Sequence, residues 1–439
     1  MLTFLGAKQR FCDRYSRRDF LKVGALGVGG LTLADMLRLK AQGKAQTSHK
    51  AVIMICLSGG PSHIDMYDLK PDAPEKIRGE FKPINTNVPG MDICELFPLQ
   101  AQIADKFSII RSMKFLQGGH TPPELLTGFV DARKPDIGAT VSRLRKDAGI
   151  MGALPPYVSM DIESYTSFLG NAHKPFNPRS GVNNSDSLAL AKGVTLPLLE
   201  ERKELLKSFD SLSRDLDDRR GSLASVDAFH AQALEMIATP KARDAFDISK
   251  ETEETRKKYG KATKMLQARR LVEAGVPVVT MTFYNPDPIP KACTNPHWDH
   301  HDQIYTCLRP LLPHLDRGIH ALVTDIFERG LDKDVAVCVW GEMGRTPVIG
   351  EQKGTVAGRD HWPQAGFCFI SGGGLKMGQV VGATNKHAEH PKTRAYNTQN
   401  VLSTLYHVLG IDAGQTAIPD HTGRPIHLLE DTDKVTELL

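Results

Sequence analysis

Residues 51–60 read AVIMICLSGG. The run is apolar and rich in branched side chains until Leu57, then breaks on Ser58-Gly59-Gly60-Pro61. A strand with one face in water alternates polar and apolar residues. An unbroken apolar run therefore marks a strand buried on both faces, as in a parallel sheet layered between helices. Similar runs recur at FSIIRSM (107–113), PYVSM (156–160), VPVVTMTF (276–283), VAVCVWG (335–341) and GFCFISG (366–372). Residues 301–329 and 397–409 carry apolar side chains at three- and four-residue steps and read as helices. Residues 96–106 are helix-like, and a further helix ends in Glu273-Ala274-Gly275, with the glycine as its cap. Strands alternating with helices predict an α/β fold, a doubly wound and mostly parallel sheet flanked by helices. From about 188 to 272 the chain is helical and charge-rich, with Leu198, Leu199, Leu205, Leu206, Phe209 and Leu212 on one face. This stretch predicts a helical insertion that covers a sheet edge or forms a lid.

Composition narrows the class of function. At 41% hydrophobic and 24% charged over 439 residues, the chain has the makeup of a folded protein rather than a disordered one. Its net charge of +4 comes from residues 1–50, which hold ten Lys and Arg against three Asp and Glu; the remainder nets −3. The body lacks the electrostatic footprint of a nucleic-acid binder, so no nucleic-acid partner is expected. SRRDFLK (16–22), followed by a Gly-rich apolar run from Val23 to Leu37, resembles a twin-arginine export signal. The expectation is a signal and linker over 1–50 and a single domain over 51–439. The twin-arginine machinery would deliver it to the periplasm or outside the cell, with membrane contact only through an uncleaved leader. Seven cysteines form no C-x-x-C pair, and Cys56, Cys338 and Cys368 sit in strand-like runs as small core residues. Their spacing indicates no disulfide.

Ligands of open α/β sheets bind beyond the carboxyl ends of the strands. After the first strand come Ser62, His63 and Asp65; after the second, Arg111, His120 and Thr121. After the 276–283 run come His297, Asp299, His300 and His301; after the 335–341 run, Glu342 and Arg345. Asp360 and His361 stand shortly before the last run. Each of these positions delivers a histidine or a carboxylate. Mixed sets of this kind suit Zn²⁺ or Mn²⁺, whereas carboxylates alone favour Mg²⁺ or Ca²⁺. The HWDHHD cluster (297–302) beside a buried strand is costly unless a positive charge compensates it.

The ordered set LSGGPSHID, RRLVEAGVPVV, HWDHH, VWGEMGRTP, GRDHWP, NTQNVLSTLYHVLGI and HTGRPI spans nearly all of Ala51 to Leu429. It is similar to the alkaline phosphatase superfamily of sulfatases, phosphodiesterases and cofactor-independent phosphoglycerate mutases. More narrowly, with SRRDFLK, it resembles the twin-arginine-exported, sulfatase-like family designated domain of unknown function 1501. The resemblance implies an alkaline-phosphatase-like fold and one metal held by Asp299, His301 and His361. Glu342 falls where the superfamily has an Asp ligand of a second metal, but Met343 falls where it has a His. The superfamily's first-strand Asp is missing, so His63 or Asp65 would serve instead. For the nucleophile at a helix N-terminus the match is Thr121, flanked by His120, in GGHTPPELLTG; Ser62 is the second choice. The C-x-P-x-R of formylglycine sulfatases is absent. Arg345 would contact anionic oxygens. The expected function is an exported hydrolase of small-molecule or polysaccharide phosphate or sulfate esters. It would depend on a divalent metal, Zn or Mn, with Ca or Mg as alternatives. The rival expectation is a non-catalytic scaffold or glycan-binding protein that kept the fold and lost part of the site.

Overall fold

The six apolar runs form strands β1 (Ala51–Cys56), β2 (Phe107–Met113), β3 (Tyr157–Met160), β4 (Val278–Thr282), β5 (Val335–Trp340) and β6 (Gly366–Gly372) in the computed structural model. The structure describes residues 49–120, 122–150, 152–178, 201, 239–350 and 356–439. A short seventh strand, β7 (Gln379–Val381), completes one sheet of order β7-β2-β6-β5-β1-β4-β3. β1 runs parallel to β4 and β5, β3 parallel to β4, and β7 parallel to β2. Only β6 runs antiparallel to its neighbours, β2 and β5.

The unbroken apolar character of β1 is explained by what covers it. Ile53 and Ile55 point into one core cluster, while Val52, Met54 and Cys56 point into another on the opposite face. Four helices, α1 (Ile137–Asp147), α2 (Thr263–Ala274), α3 (Ile304–Glu328) and α4 (Thr398–Val408), divide between those faces. Leu266 and Leu271 of α2 and Leu308, Leu315 and Ile319 of α3 fill the first cluster. Ile137 and Val141 of α1 and Val401 and Leu405 of α4 fill the second. A fully buried aliphatic side chain of this kind contributes roughly 1.5–3 kcal/mol.

Three details differ from the sequence reading. Residues 96–106 form two short turns, Pro98–Ala101 and Ala104–Lys106, instead of one helix. The first is capped from outside: buried Asp316 of α3 accepts the amides of Leu99 at 3.0 Å and Gln100 at 2.9 Å. Next, α2 packs against β1 and β4 as the crossover leading into β4, so it belongs to the helical layer of the sheet. Gly275, left-handed at φ 113°, closes it. The rest of the expected insertion up to residue 238, Glu201 apart, and the leader to residue 48, lie outside the described residues. Third, Cys293 and Cys307 form a disulfide between the loop after β4 and the first turn of α3.

The topology also fixes one edge. The parallel strands deliver their following loops there, and because β6 is reversed, the loop that enters it arrives at that edge too. Among the described residues no helix is long and apolar enough to cross a membrane.

Candidate metal centre

Asp299, on the loop after β4, is the hub of the side chains gathered at this edge. Its Oδ1 lies 2.6 Å from Arg345 Nη2, 2.9 Å from His301 Nε2 and 3.1 Å from His361 Nε2. Its Oδ2 lies 3.2 Å from His120 Nε2. The two Nε2 atoms of His301 and His361 are themselves 3.1 Å apart.

The outer nitrogens of these rings decide what the inner ones can do. His301 Nδ1 meets Asp360 Oδ1 at 2.7 Å, and His361 Nδ1 meets the Gly118 carbonyl at 2.7 Å. Both partners are acceptors, so both Nδ1 atoms carry the hydrogen, and a neutral ring then presents a lone pair at Nε2. Two imidazole lone pairs and a carboxylate oxygen therefore converge, an arrangement that repels itself until a cation or proton lies between them. The outer contacts are those that orient metal-binding histidines elsewhere. Asp299, His361 and His120 each offer a ligand atom within 4.8 Å of the others. This donor set fits a divalent ion of the Zn²⁺ or Mn²⁺ type. The centre is reachable: the side chains of Asp299, His361, His301 and His120 are 24%, 23%, 34% and 46% exposed.

Backbone contact sets the spacing. Gly59 has φ +116°, and a Cβ there would stand 2.6 Å from the Asp299 nitrogen. Only glycine lets the loop after β1 lie directly on the metal-site loop. Gly358 does the same for the loop before β6, where a Cβ would meet the His301 carbonyl oxygen. The Cys293–Cys307 disulfide brackets Asp299 and His301 from both sides.

Electrostatics follow from the contacts. Burial pulls the Asp299 carboxyl upward, but hydrogen bonds from His361 and Arg345, with the charges of Arg345 and His301, hold it well below the usual carboxylate range. His120 is shifted upward, first by its contact with Glu342, with Asp299 adding to it and burial opposing. Glu342 is buried, and its Oε1 accepts the Gly59 amide at 2.7 Å and faces His120 Nδ1 at 3.3 Å. Its Oε2 is buried with no hydrogen-bond partner among the described residues.

The structure thus brings together Asp299, His301, His361, His120 and, through His120, Glu342. It commits Ser62, His63 and Asp65 to a separate buried group. Arg359 Nε and Nη2 hold the two Asp65 oxygens at 2.8 and 3.1 Å, and Ser62 Oγ donates to Asp65 Oδ2 at 2.5 Å. His63 donates from Nε2 to the Ala388 carbonyl at 2.9 Å, which leaves Nδ1 to accept the Arg345 amide at 3.4 Å. No lone pair of His63 is left for an ion in that arrangement. Met343 is packed in the apolar core behind the site. Arg345, expected to meet anionic oxygens, is instead 0% exposed and bonded to backbone carbonyls. Thr121 lies outside the described residues. Asp360, the Gly118 carbonyl and Arg359 are site residues whose roles no residue pattern in the sequence reveals. The nearest signal is GRDHWP, which places Arg359 and Asp360 directly before His361.

Solved structures to which the chain is similar include the PsFucS1 sulfatase from Pseudoalteromonas sp., at 11% identity over 87% of this chain and 72% of that one, with a TM-score of 0.38. A protein in the alkaline phosphatase superfamily from Vibrio parahaemolyticus matches at 11% identity over 84% and 68%, with a TM-score of 0.38. The lipoteichoic acid synthase LtaP from Listeria monocytogenes matches at 10% identity over 89% and 79%, with a TM-score of 0.35. No curated protein matches the chain. The model of the family described as "Protein of unknown function (DUF1501)" matches residues 49–439, and the chain belongs to that family.

Proposed function

We propose that this protein is an exported, metal-dependent hydrolase of phosphate or sulfate esters, acting on a small-molecule or polysaccharide substrate. The observation that carries the reading is the convergence of Asp299 Oδ1, His301 Nε2 and His361 Nε2 at 2.9–3.1 Å, with both histidines tied back through Nδ1. A divalent ion there, Zn²⁺ or Mn²⁺ in preference to Ca²⁺ or Mg²⁺, would supply Lewis acidity to an ester oxygen. The protein's own part is to keep Asp299 ionised, hold the two tautomers, and place His120 at the mouth. His120 carries a proton between Asp299 and Glu342, where it can be passed to a leaving oxygen. Thr121, the next residue in the chain, is the proposed nucleophile. Ser62 is the weaker choice, because its hydroxyl is buried and donates to Asp65. The Cys293–Cys307 disulfide supports delivery to an oxidising compartment, in keeping with twin-arginine export.

The second reading, a non-catalytic scaffold or glycan-binding protein, draws on two observations. Met343 is core, and His63 and Asp65 are committed inside the fold. Metal analysis of the purified chain and a panel of phosphate and sulfate esters separate the readings. About one bound ion per chain, with turnover lost on chelation, supports the hydrolase. Absence of both metal and any thermal shift on adding one overturns the metal centre. Bound metal without turnover on any ester favours the scaffold.

A further inference from the structure

We infer that Arg345 is the positioning residue of the centre, acting through Asp299 and never touching substrate. Its guanidinium has no exposed surface. Nε donates to the Gly60 carbonyl at 2.7 Å, and Nη1 to the Arg359 carbonyl at 3.0 Å. Nη2 reaches Asp299 Oδ1 at 2.6 Å, the Trp298 carbonyl at 3.1 Å and the Gly59 carbonyl. Three segments meet on this one planar group: the Gly59-Gly60 turn after β1, the Trp298-Asp299 step after β4, and Arg359 two residues before His361.

Each contact answers a local need. Gly59 and Gly60 take φ of 116° and 82°, a turn that directs its carbonyls inward, where they require donors. A guanidinium offers five N–H groups in a fixed plane, so it can satisfy carbonyls from several directions and still hold a carboxylate. Lys has the charge without the plane. With Oδ1 fixed by Arg345, Asp299 cannot rotate away from His301 and His361. Arg345 therefore fixes the ligand angle of one residue and the spacing of the loops that carry the others.

The effect on the ion rests on reading Asp299, His301 and His361 as a metal centre; the loop contacts do not. The test uses the full chain and Co²⁺ alone as probe. In Arg345→Lys, Co²⁺ affinity falls about 10- to 100-fold, the range for groups that orient metal ligands, and the visible spectrum of the bound ion changes. In an Asp299→Asn background the same substitution costs clearly less than in the wild-type chain, because its route through the carboxylate is already weakened and only its hold on the loops is left to lose. Additive losses overturn the inference, as does wild-type affinity in Arg345→Lys. Hydrogen exchange of the metal-free chain needs no ion. Amides of 58–60, 298–300 and 359–361 should exchange at least about tenfold faster in Arg345→Lys while β1 and β5 keep their protection. Unchanged exchange overturns the positioning role. A wild-type chain that binds no Co²⁺ overturns the metal reading instead, and exchange alone then decides Arg345. Should Arg345→Lys not fold, Asp299→Asn carries the same measurement. There the Gly59, Gly60 and Trp298 carbonyls stay bonded to Arg345, so 58–60 should keep their protection while 299–301 loosen, and loosening of both or neither overturns the inference.

Discussion

Two groups of histidine and carboxylate lie near the carboxyl edge of the sheet, one around Asp65 and one around Asp299, and they differ in what balances the negative charge. Asp65 is 1% exposed, and its oxygens receive the two-pronged guanidinium of Arg359, the Ser62 hydroxyl and, at 3.3 Å, the Tyr305 hydroxyl. Burial pulls the Arg359 guanidinium down, but the Asp65 charge outweighs it and the net shift is upward. Nothing in this group asks for another cation. Asp299 is partly exposed, and Arg345 gives it a single contact. Its remaining neighbours are imidazoles whose inner nitrogens face one another. A carboxylate closed by an arginine fork holds the fold together; a carboxylate ringed by tied-back imidazoles is built to hold something else.

The largest expected effects break this comparison from both sides. Asp299→Ala should lower ion affinity and ester turnover by more than the roughly 10- to 100-fold typical of supporting residues. The melting temperature of the metal-free chain should fall less than in Asp65→Ala, because partly exposed Asp299 gives buried Arg345 only a single contact. Asp65→Ala should do the reverse, since it strands a buried guanidinium at a cost of about 3–5 kcal/mol. Its folded fraction should still bind the ion as wild type does. Urea unfolding and metal titration of both variants check the pair, and an exchange of phenotypes would show that the two groups have been assigned backwards.

A smaller effect sharpens the picture of the Asp299 group. The disulfide between Cys293 and Cys307 spans a sequence separation of 14. Replacing both cysteines by Ser should cost about 3 kcal/mol if the crosslink acts by restricting the unfolded chain. Because the closed loop contains Asp299, ion affinity should fall as well, though less than in Asp299→Ala. Denaturant midpoints with and without metal separate the two contributions. A stability loss with unchanged affinity would mean that Arg345 and the glycines alone position the loop.

These comparisons also explain what could be read from residues alone. The strands were legible because burial on both faces leaves an unbroken apolar run, and β1 and β5 are buried throughout. β7 was not, because it is only three residues long at the sheet edge and two of them are only partly buried. The histidines and carboxylates were legible as residues at strand ends. Their partition into two groups was not, because Arg359 lies 294 residues from the Asp65 that it closes. The same limit hid the surroundings of Arg345, since an arginine after a strand looks alike whether it faces a ligand or a ring of carbonyls. The reversal of β6, which brings His361 to the right edge, leaves no trace in an apolar run.

The smallest expected effect concerns protons and sets a core histidine against a site histidine. His173 is 4% exposed, with Nδ1 3.1 Å from Ser142 Oγ. Burial first, then the charges of Lys146 and Arg143, push it down to about 4. An unfolded chain binds this proton near the ordinary histidine value of about 6.5. Stability from neutral His173 is therefore complete above that value and is lost as pH falls from there through about 4. His120 has the opposite sign. Its folded value is raised, so in the metal-free chain its contribution is complete below about 6.5 and fades as pH rises through the raised value. It is also half-exposed, so solvent screening shrinks the effect. His173→Gln should flatten the acid side of a melting-temperature profile between about pH 7 and pH 5 by a few degrees. His120→Gln should leave the acid side alone and flatten the neutral side slightly, and only without metal. Profiles that change on the same side in both variants would show that His120 is not held between Asp299 and Glu342, and the mouth of the centre would need another proton carrier.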